Sequence, residues 1–146
     1  MRRVRLAEED GSTLPLVAGF GALALALVLV AAAASSLYLE RKQLFTLADG
    51  AALVGAEAFD LAEVSVATGR PEALLEPADV HRDVTAFLGG TPNGGFEGLK
   101  LEEATTRDGE TATVTLSAIW RPPIVTVFFP EGWRIETTAT ARAVFG

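Results

Sequence analysis

The chain has 146 residues, of which 49% are hydrophobic and 21% are charged, and its formal net charge is −7. The acidic balance argues against nucleic-acid binding, which needs a basic surface, and the apolar content excludes an intrinsically disordered chain. With no cysteine and one histidine, His81, a single chain offers no disulfide framework, no thiolate metal site and no catalytic triad.

The first predicted element is a helix that spans a membrane. Residues 14–38 carry no charged side chain, and a spanning helix needs about 20 predominantly apolar residues. Arg2, Arg3 and Arg5 precede this segment, and basic residues beside a span favour the cytoplasmic side. Residues 1–13 are therefore predicted to form a cytoplasmic leader, and the C-terminal part of the chain is predicted to be extracytoplasmic.

Three interpretations of this N-terminal segment remain open. The segment is an uncleaved anchor, or it stays in the membrane after prepilin-type cleavage between Gly11 and Ser12, or it is a secretory signal cleaved at the small residues 31–34. The apolar core is long for a secretory signal, and helix-forming sequence continues after it. Both features favour an anchor over a secreted protein.

The helix is predicted to continue beyond the membrane as a stalk over residues 39–68. Proline is absent from this stretch, apolar residues recur at three- and four-residue spacing, and residues 69–71 (Gly-Arg-Pro) end the pattern. Small residues also recur at four-residue spacing, which lets helices approach each other closely. The residues predicted to pack against partner helices are Ala18, Ala22, Ala26, Ala48, Ala52, Gly55 and Ala56.

Residues 69–146 are predicted to form a small extracytoplasmic α+β domain. Pro77–Leu88 has the pattern of a short amphipathic helix, ended by two glycines. From Phe96 onward the apolar period changes to two, and Asp108-Gly109 is the signal of a two-residue hairpin turn.

The remaining strands are predicted over Thr111–Trp120 and from Trp133 to Phe145, with residues 124–129 as a further short candidate. An antiparallel sheet of three or four strands needs helices to cover its apolar face, and the stalk and the short helix are available. The predicted fold is thus α+β: a long N-terminal transmembrane and stalk helix, a short second helix and a small antiparallel sheet. This architecture resembles that of a pilin.

The sequence offers no site for catalysis, a metal or a cofactor. His81 lies opposite most of the apolar face of the short helix and is predicted to be a surface residue. Glu102 and Glu103 are adjacent on a strand, so they are predicted to point to opposite faces and cannot work as a carboxylate pair. Asp79 and Asp83 alone make a poor cation site. We therefore predict neither an enzyme nor a small-molecule binder.

Aromatic residues cluster around the proline-rich turn before the last strand. Two interpretations are open, packing in the core and a contact patch for another subunit, because exposed apolar patches often mark interfaces. The candidate residues are Trp120, Phe128, Phe129 and Trp133.

A short motif joins the apolar run to the helix that follows it. Gly11-Ser12 precedes the run, and Leu37–Leu44 (LYLERKQL) leads into Ala48–Ala56 (ADGAALVGA). These segments resemble the start of TadE/TadG-like proteins of the Tad (Flp, tight adherence) pilus systems, which carry a near-membrane A-D-A-A-A-L-A-G-A stretch. The resemblance covers residues 8–60, about the first third of the chain and somewhat beyond.

The resemblance implies a membrane-anchored accessory component, or a minor pilin or pseudopilin, of a Tad/Flp-type pilus or a related secretion apparatus. Its partners would be other subunits, contacted through the N-terminal helix, and it would stay in the membrane or enter a surface filament. Leu16 stands where pilin-like members usually carry glutamate, which favours a membrane-retained member. The alternative is a secreted or anchored binding or regulatory domain unrelated to pili.

Overall fold

The computed structural model describes residues 13–59, 74–92, 95–123, 126 and 130–143. These residues form an α+β fold, which confirms the predicted fold class. Its elements are α1 (Thr13–Ala56), α2 (Pro77–Gly90), β1 (Glu97–Thr106), β2 (Thr111–Trp120) and β3 (Trp133–Arg142). The strands form one antiparallel sheet in the order β1-β2-β3. Of the candidate strand 124–129, only Thr126 is described, and it lies outside the sheet.

Helix α1 passes through two different surroundings. Its first part is apolar and exposed, so that Leu14 keeps 76% and Val30 keeps 66% of their surface accessible. From Leu44 to Ala56 one face of the same helix is buried in the core. One continuous helix therefore provides both a bare apolar segment and a structural element of the domain.

Helix α1 ends at Ala56, so the predicted continuous stalk is wrong at residues 57–59. The amide of Ala58 donates to the carbonyl of Gly55 at 3.3 Å, a three-residue spacing that tightens the last turn before the helix stops. Ala58 is buried although it is not helical. The apolar spacing thus indicates burial, whereas neither glycine nor proline occurs at residues 57–59, directly after the helix. The predicted continuation over residues 60–68 lies outside the described residues.

Both helices cover the same face of the sheet. The alternation in β2 predicted one inward face, and all its members are buried: Ala112, Val114, Leu116, Ala118 and Trp120. Helix α1 packs on β2 and β3, and α2 packs on β1 and on α1. The predicted start of α2 at Pro77 is confirmed, and the helix includes both glycines that were expected to end it. The core therefore lies between the sheet and the two helices, as the sequence pattern required.

The hairpin predicted at Asp108-Gly109 is present, with a loop longer than two residues. Strand β1 ends at Thr106 and β2 begins at Thr111, which leaves residues 107–110 in the loop. Gly109 has φ of 73°, a conformation that favours glycine. The Asp108 carboxylate accepts hydrogen bonds from the amides of Glu110 and Thr111, at 2.9 and 2.7 Å, and from the Thr111 hydroxyl at 2.8 Å. These bonds hold the loop closed.

This loop makes a testable prediction about pH. The Glu110 amide, the Thr111 hydroxyl and the Thr111 amide stabilise the charged carboxylate and lower the pKa of Asp108 from 3.8 to about 2. Because the folded pKa is the lower one, the stabilisation is present above the unfolded value and is lost as pH falls toward the folded value. Asp108→Ala should therefore lower Tm at neutral pH, and its difference from wild type should shrink in strong acid.

The measurement is Tm of the full chain in detergent at neutral pH, near the unfolded pKa and near the folded pKa of Asp108. Asp49→Ala is the matched control, since Asp49 is an exposed aspartate on α1. A difference between wild type and Asp108→Ala that is constant across this range would contradict the role of the carboxylate.

The ladder between β1 and β2 contains an irregularity that the sequence did not show. Leu101 pairs with Leu116 while Glu103 pairs with Thr115, so Glu102 is an extra residue, as in a β-bulge. The Glu102 carboxylate accepts a hydrogen bond from the hydroxyl of Ser117, which shares the outer face with Thr115. Both glutamates therefore lie on the outer face, and the prediction of opposite faces was wrong because a bulge shifts the alternation by one residue.

Candidate functional site

The main exposed apolar surface in the described part of the chain is the first part of α1. Its most apolar window has a mean hydropathy of 2.6, and none of that window is buried. By length and composition α1 is able to cross a membrane. A core helix of a soluble protein would be mostly covered, and this segment is bare. The large exposed side chains are Leu14, Leu16, Val17, Phe20, Leu23, Leu25, Leu27, Val28 and Val30.

The small residues predicted to pack against partner helices divide into two groups. Ala18, Ala22 and Ala26 are exposed on the first part of α1. The other four are buried inside this chain's own fold: Ala48, Ala52, Gly55 and Ala56. Their predicted contact with partner helices is therefore corrected to an intramolecular one, because the sheet and α2 already occupy the face that a partner would need.

Gly55 shows how closely the elements of the domain approach each other. A methyl group added at Gly55 would lie 3.1 Å from Val80 Cγ1, 3.2 Å from Val84 Cγ2 and 3.2 Å from Ala112 Cβ. Val80 and Val84 belong to α2, and Ala112 belongs to β2. Small residues on α1 thus permit close packing, as the sequence predicted, but the neighbours are α2 and β2.

The exposed alanines lie on the same side of α1 as the residues that contact the domain in the C-terminal part of the helix. Steps of three and four residues connect them to the buried part of the helix, and such steps follow one helix face. Leu29 and Ala33 on this path are half-buried. A helix seated on the alanines would therefore lie directly beneath the domain. The full path is Ala18, Ala22, Ala26, Leu29, Ala33, Ser36, Glu40 and Leu44.

The two tryptophans form a pair at the end of the sheet. Their ring centroids are 5.9 Å apart with an interplanar angle of 24°. Trp120 is buried, and its indole N–H donates to the hydroxyl of Ser36 at 3.3 Å, whereas Trp133 is 50% exposed. Core packing therefore describes Trp120, and Trp133 is the exposed member of the pair. The other two candidates, Phe128 and Phe129, lie outside the described residues.

Strand β2 runs back along α1 toward its apolar end. Ala112 lies beside Gly55, and Trp120 is bonded to Ser36. The helix rises about 28 Å between these two points, and the strand covers nearly the same distance in eight residues. The β2–β3 connection therefore begins and ends at the level where the exposed part of α1 meets the domain.

The remaining polar candidates have ordinary surface roles. His81 is exposed, as predicted. Asp79 and Asp83 both pair with Arg82, at 2.5 and 2.9 Å, and this pairing raises the pKa of the Arg82 guanidinium. No group of three or more His, Cys, Asp or Glu side chains in the described ranges is arranged to hold a metal ion. The carboxylates of Asp79 and Asp83 thus form surface ion pairs with Arg82.

An open groove of about 470 Å³ lies between α1 and the end of α2, beside Phe87 and Phe96. The polar side chains among its described lining residues are Gln43 and Thr46, and the Thr46 hydroxyl donates to the carbonyl of Lys42 within α1. No charged side chain belongs to that lining. The described lining of this groove is therefore mainly apolar, and its two polar side chains are uncharged.

Part of the chain matches a known protein family. Residues 11–58 match the Tad family of Flp pilus-assembly TadE/G-like proteins. This segment contains all of α1, and the match confirms the resemblance seen in the sequence. No curated protein and no solved structure matches the chain. The match supports a Tad/Flp pilus-associated component with a structural role. Among the described residues α1 is the one helix long and apolar enough to cross a membrane, which fits a single-pass membrane protein.

Proposed function

We propose that the protein is a membrane-anchored accessory component, or a minor pilin or pseudopilin, of a Tad/Flp-type pilus or a related secretion apparatus. The observation that carries the proposal is α1. It is bare and apolar in its first part, it is built into the domain in its second part, and it lies inside the segment that matches the pilus-assembly family. Such a helix fixes a folded domain to the membrane surface without a flexible linker.

In the proposed topology residues 1–13 are cytoplasmic, residues 14–38 contain the span and the domain is extracytoplasmic. Starting from Leu14, about 20 residues cross the hydrocarbon core, so the span is complete near Ala33. The domain begins to contact α1 close to that point, since Ser36 is bonded to Trp120. Cleavage between Gly11 and Ser12 would remove residues 1–11 and leave the span and the domain unchanged. The orientation would be contradicted if a reporter that works only in the cytoplasm were active when fused to the C-terminus.

The contact with other subunits is assigned to Ala18, Ala22 and Ala26. In lipid, helices gain little from hydrophobicity and depend on close approach, which small residues allow. These alanines are exposed and lie beneath the domain, so a partner helix packed on them would also meet the underside of the domain. The contact therefore joins a helix pair in the membrane to a surface just outside it.

The decisive test introduces Ala22→Leu together with Ala26→Leu in the cell that makes the protein. Leucine favours membrane insertion, so the variant should be inserted at the normal level. The bulkier side chains should separate the helices at a cost of about 1 kcal/mol, equivalent to about fivefold weaker association. Co-purification with other pilus subunits and the number of surface pili are the measurements.

The matched control makes the same change on the opposite side of α1, with Ala24→Leu and Ala31→Leu. Both alanines are exposed, and by helical spacing they face away from Ala22. The control should keep wild-type co-purification and piliation. Equal behaviour of the two double variants would contradict the assigned face. Normal piliation after complete deletion of the gene would contradict the proposed function itself.

A further inference from the structure

The chain has two tryptophans, and both lie at the end of the domain that is nearest the apolar part of α1. Trp120 ends β2 and Trp133 begins β3. Their stacked rings are fastened to α1 by the bond from the Trp120 indole to Ser36. Along the membrane normal, the tryptophan pair therefore lies at the same level as Ser36.

Two features of α1 bracket that height. A span that starts at Leu14 leaves the hydrocarbon near Ala33, and Ser36 lies about 4.5 Å farther along the helix. From the other side, Glu40 is the first charged residue after the apolar run, and it follows Ser36 by about 6 Å. The headgroup layer on each side of a bilayer is about 5–7 Å thick. Ser36 and the tryptophan pair therefore fall within this layer.

The connection between the tryptophans carries its charges only at its ends. Arg121 and Glu131 flank residues 122–130, which contain no charged side chain. The Arg121 guanidinium forms an ion pair with the Glu97 carboxylate of β1 at 2.6 Å, so its charge is neutralised within the domain. Tryptophan is enriched at membrane interfaces, because its ring is apolar while its N–H still needs a polar partner.

From these observations we infer that the end of the sheet marked by Trp120 and Trp133 docks on the outer interface of the bilayer that α1 crosses. The occupant of this surface is lipid, in the headgroup layer, and half-exposed Trp133 makes the contact. The domain thus meets the membrane twice, through α1 and through this end of the sheet. The inference rests on the proposed membrane span, although it does not depend on a role in pili.

Lipid is favoured over a second copy of the chain because the surface is continuous with the apolar side chains of α1. Val30 is exposed less than two turns below the bond between Ser36 and Trp120, and Val28 and Leu27 are exposed about two to two and a half turns below it. A bilayer covers all of these residues together. A protein partner would have to extend into lipid to cover the same area.

The test measures tryptophan fluorescence of the full chain in vesicles made with brominated phosphatidylcholine. Bromine quenches tryptophan on contact, so lipids brominated near the glycerol or near the chain end report depth. The single-tryptophan variants Trp120→Phe and Trp133→Phe separate the two signals. We expect Trp133 to lose more fluorescence in lipid brominated near the glycerol than in lipid brominated near the chain end.

Two reference positions calibrate depth in a chain that carries both phenylalanine substitutions. Leu23→Trp lies within the proposed span, and Leu53→Trp lies on the exposed side of α1 about 25 Å beyond Ser36. The first should be quenched most by bromine near the chain end, and the second should be quenched only by aqueous acrylamide. If Leu23→Trp is not quenched by lipid, the membrane span itself fails, and with it this inference. Circular dichroism checks that each variant keeps its fold.

Two further outcomes overturn the inference while leaving the span intact. Trp133 quenched by acrylamide and by neither brominated lipid would lie in water above the membrane. Trp133 quenched by neither kind of reagent would be covered by protein, which an oligomer larger than the monomer would identify as a second copy. Quenching by lipid brominated near the glycerol, at a depth between the two references, supports the docking.

Discussion

Leu44→Ala is expected to destabilise the domain by about 2–5 kcal/mol, the usual cost of removing a buried leucine. Leu44 has no accessible surface and belongs to the core cluster with Val80 and Leu116. Truncation removes its contacts with this cluster and leaves a cavity between the helix and the sheet. Because Trp120 and Trp133 both lie on the sheet, urea unfolding of the full chain in detergent, followed by tryptophan fluorescence, measures the loss.

The control is Leu53→Ala, which makes the same change on the same helix. Leu53 is 55% exposed, so its truncation is expected to cost below about 1 kcal/mol. Equal losses for the two variants would contradict the docking of α1 on the sheet. The comparison isolates the buried face of α1, since both leucines lie in the part of the helix that passes through the domain.

The consequence of this docking is mechanical. A domain that hangs from its anchor by a linker can turn freely, whereas this domain uses the anchor helix as part of its core. The exposed alanines below the domain and the tryptophan pair at its edge therefore keep a fixed relation to each other. A partner that binds the helix in the membrane meets the domain in one orientation, which suits a component that assembles with other subunits.

The sequence predicted those parts of the fold in which local pattern and burial agree. Alternation in β2 predicted its inward face because the helices cover only one side of the sheet. Pro77 and the spacing of Val80 and Val84 predicted α2, and Asp108-Gly109 predicted the first hairpin. In each case a short-range rule was sufficient, because the tertiary structure follows the same preference.

Other features depend on distant contacts and have no local signal. The bulge at Glu102 is defined by pairing with β2, and nothing in the sequence of β1 marks it. Alanine rows are equally suited to lipid-embedded helix pairs and to a dense core, so Ala48 and Ala52 were assigned to partners although they pack internally. For Trp120 the sequence left two interpretations open, core packing and a subunit contact, and its burial and its bond to Ser36 show core packing.

Gly55→Leu is expected to destabilise the domain by about 3 kcal/mol, at the upper end of the usual cost of overpacking a core. Even one methyl group at this position would be in tight contact with Val80, Val84 and Ala112. A leucine side chain would force α1, α2 and β2 apart. If this variant also loses partner subunits, the loss follows from damage to the fold, whereas the Ala22 and Ala26 variant should lose partners with the domain intact.

A graded series separates packing from helix propensity. Gly55→Ala gains up to about 1 kcal/mol of helix propensity and loses a similar amount to its tight contacts, so its stability should stay within about 1 kcal/mol of wild type. Gly50→Ala is the matched control, because the added methyl group would lie 3.6 Å from Phe87, an ordinary contact. With propensity gained and no crowding, Gly50→Ala should raise the unfolding free energy by about 0.5–1 kcal/mol. Urea unfolding of the full chain in detergent measures all three variants. If Gly55→Leu unfolds at the same urea concentration as Gly55→Ala, α1 is not held against α2 and β2 at this point, and the buried alanine row would again be available to a partner.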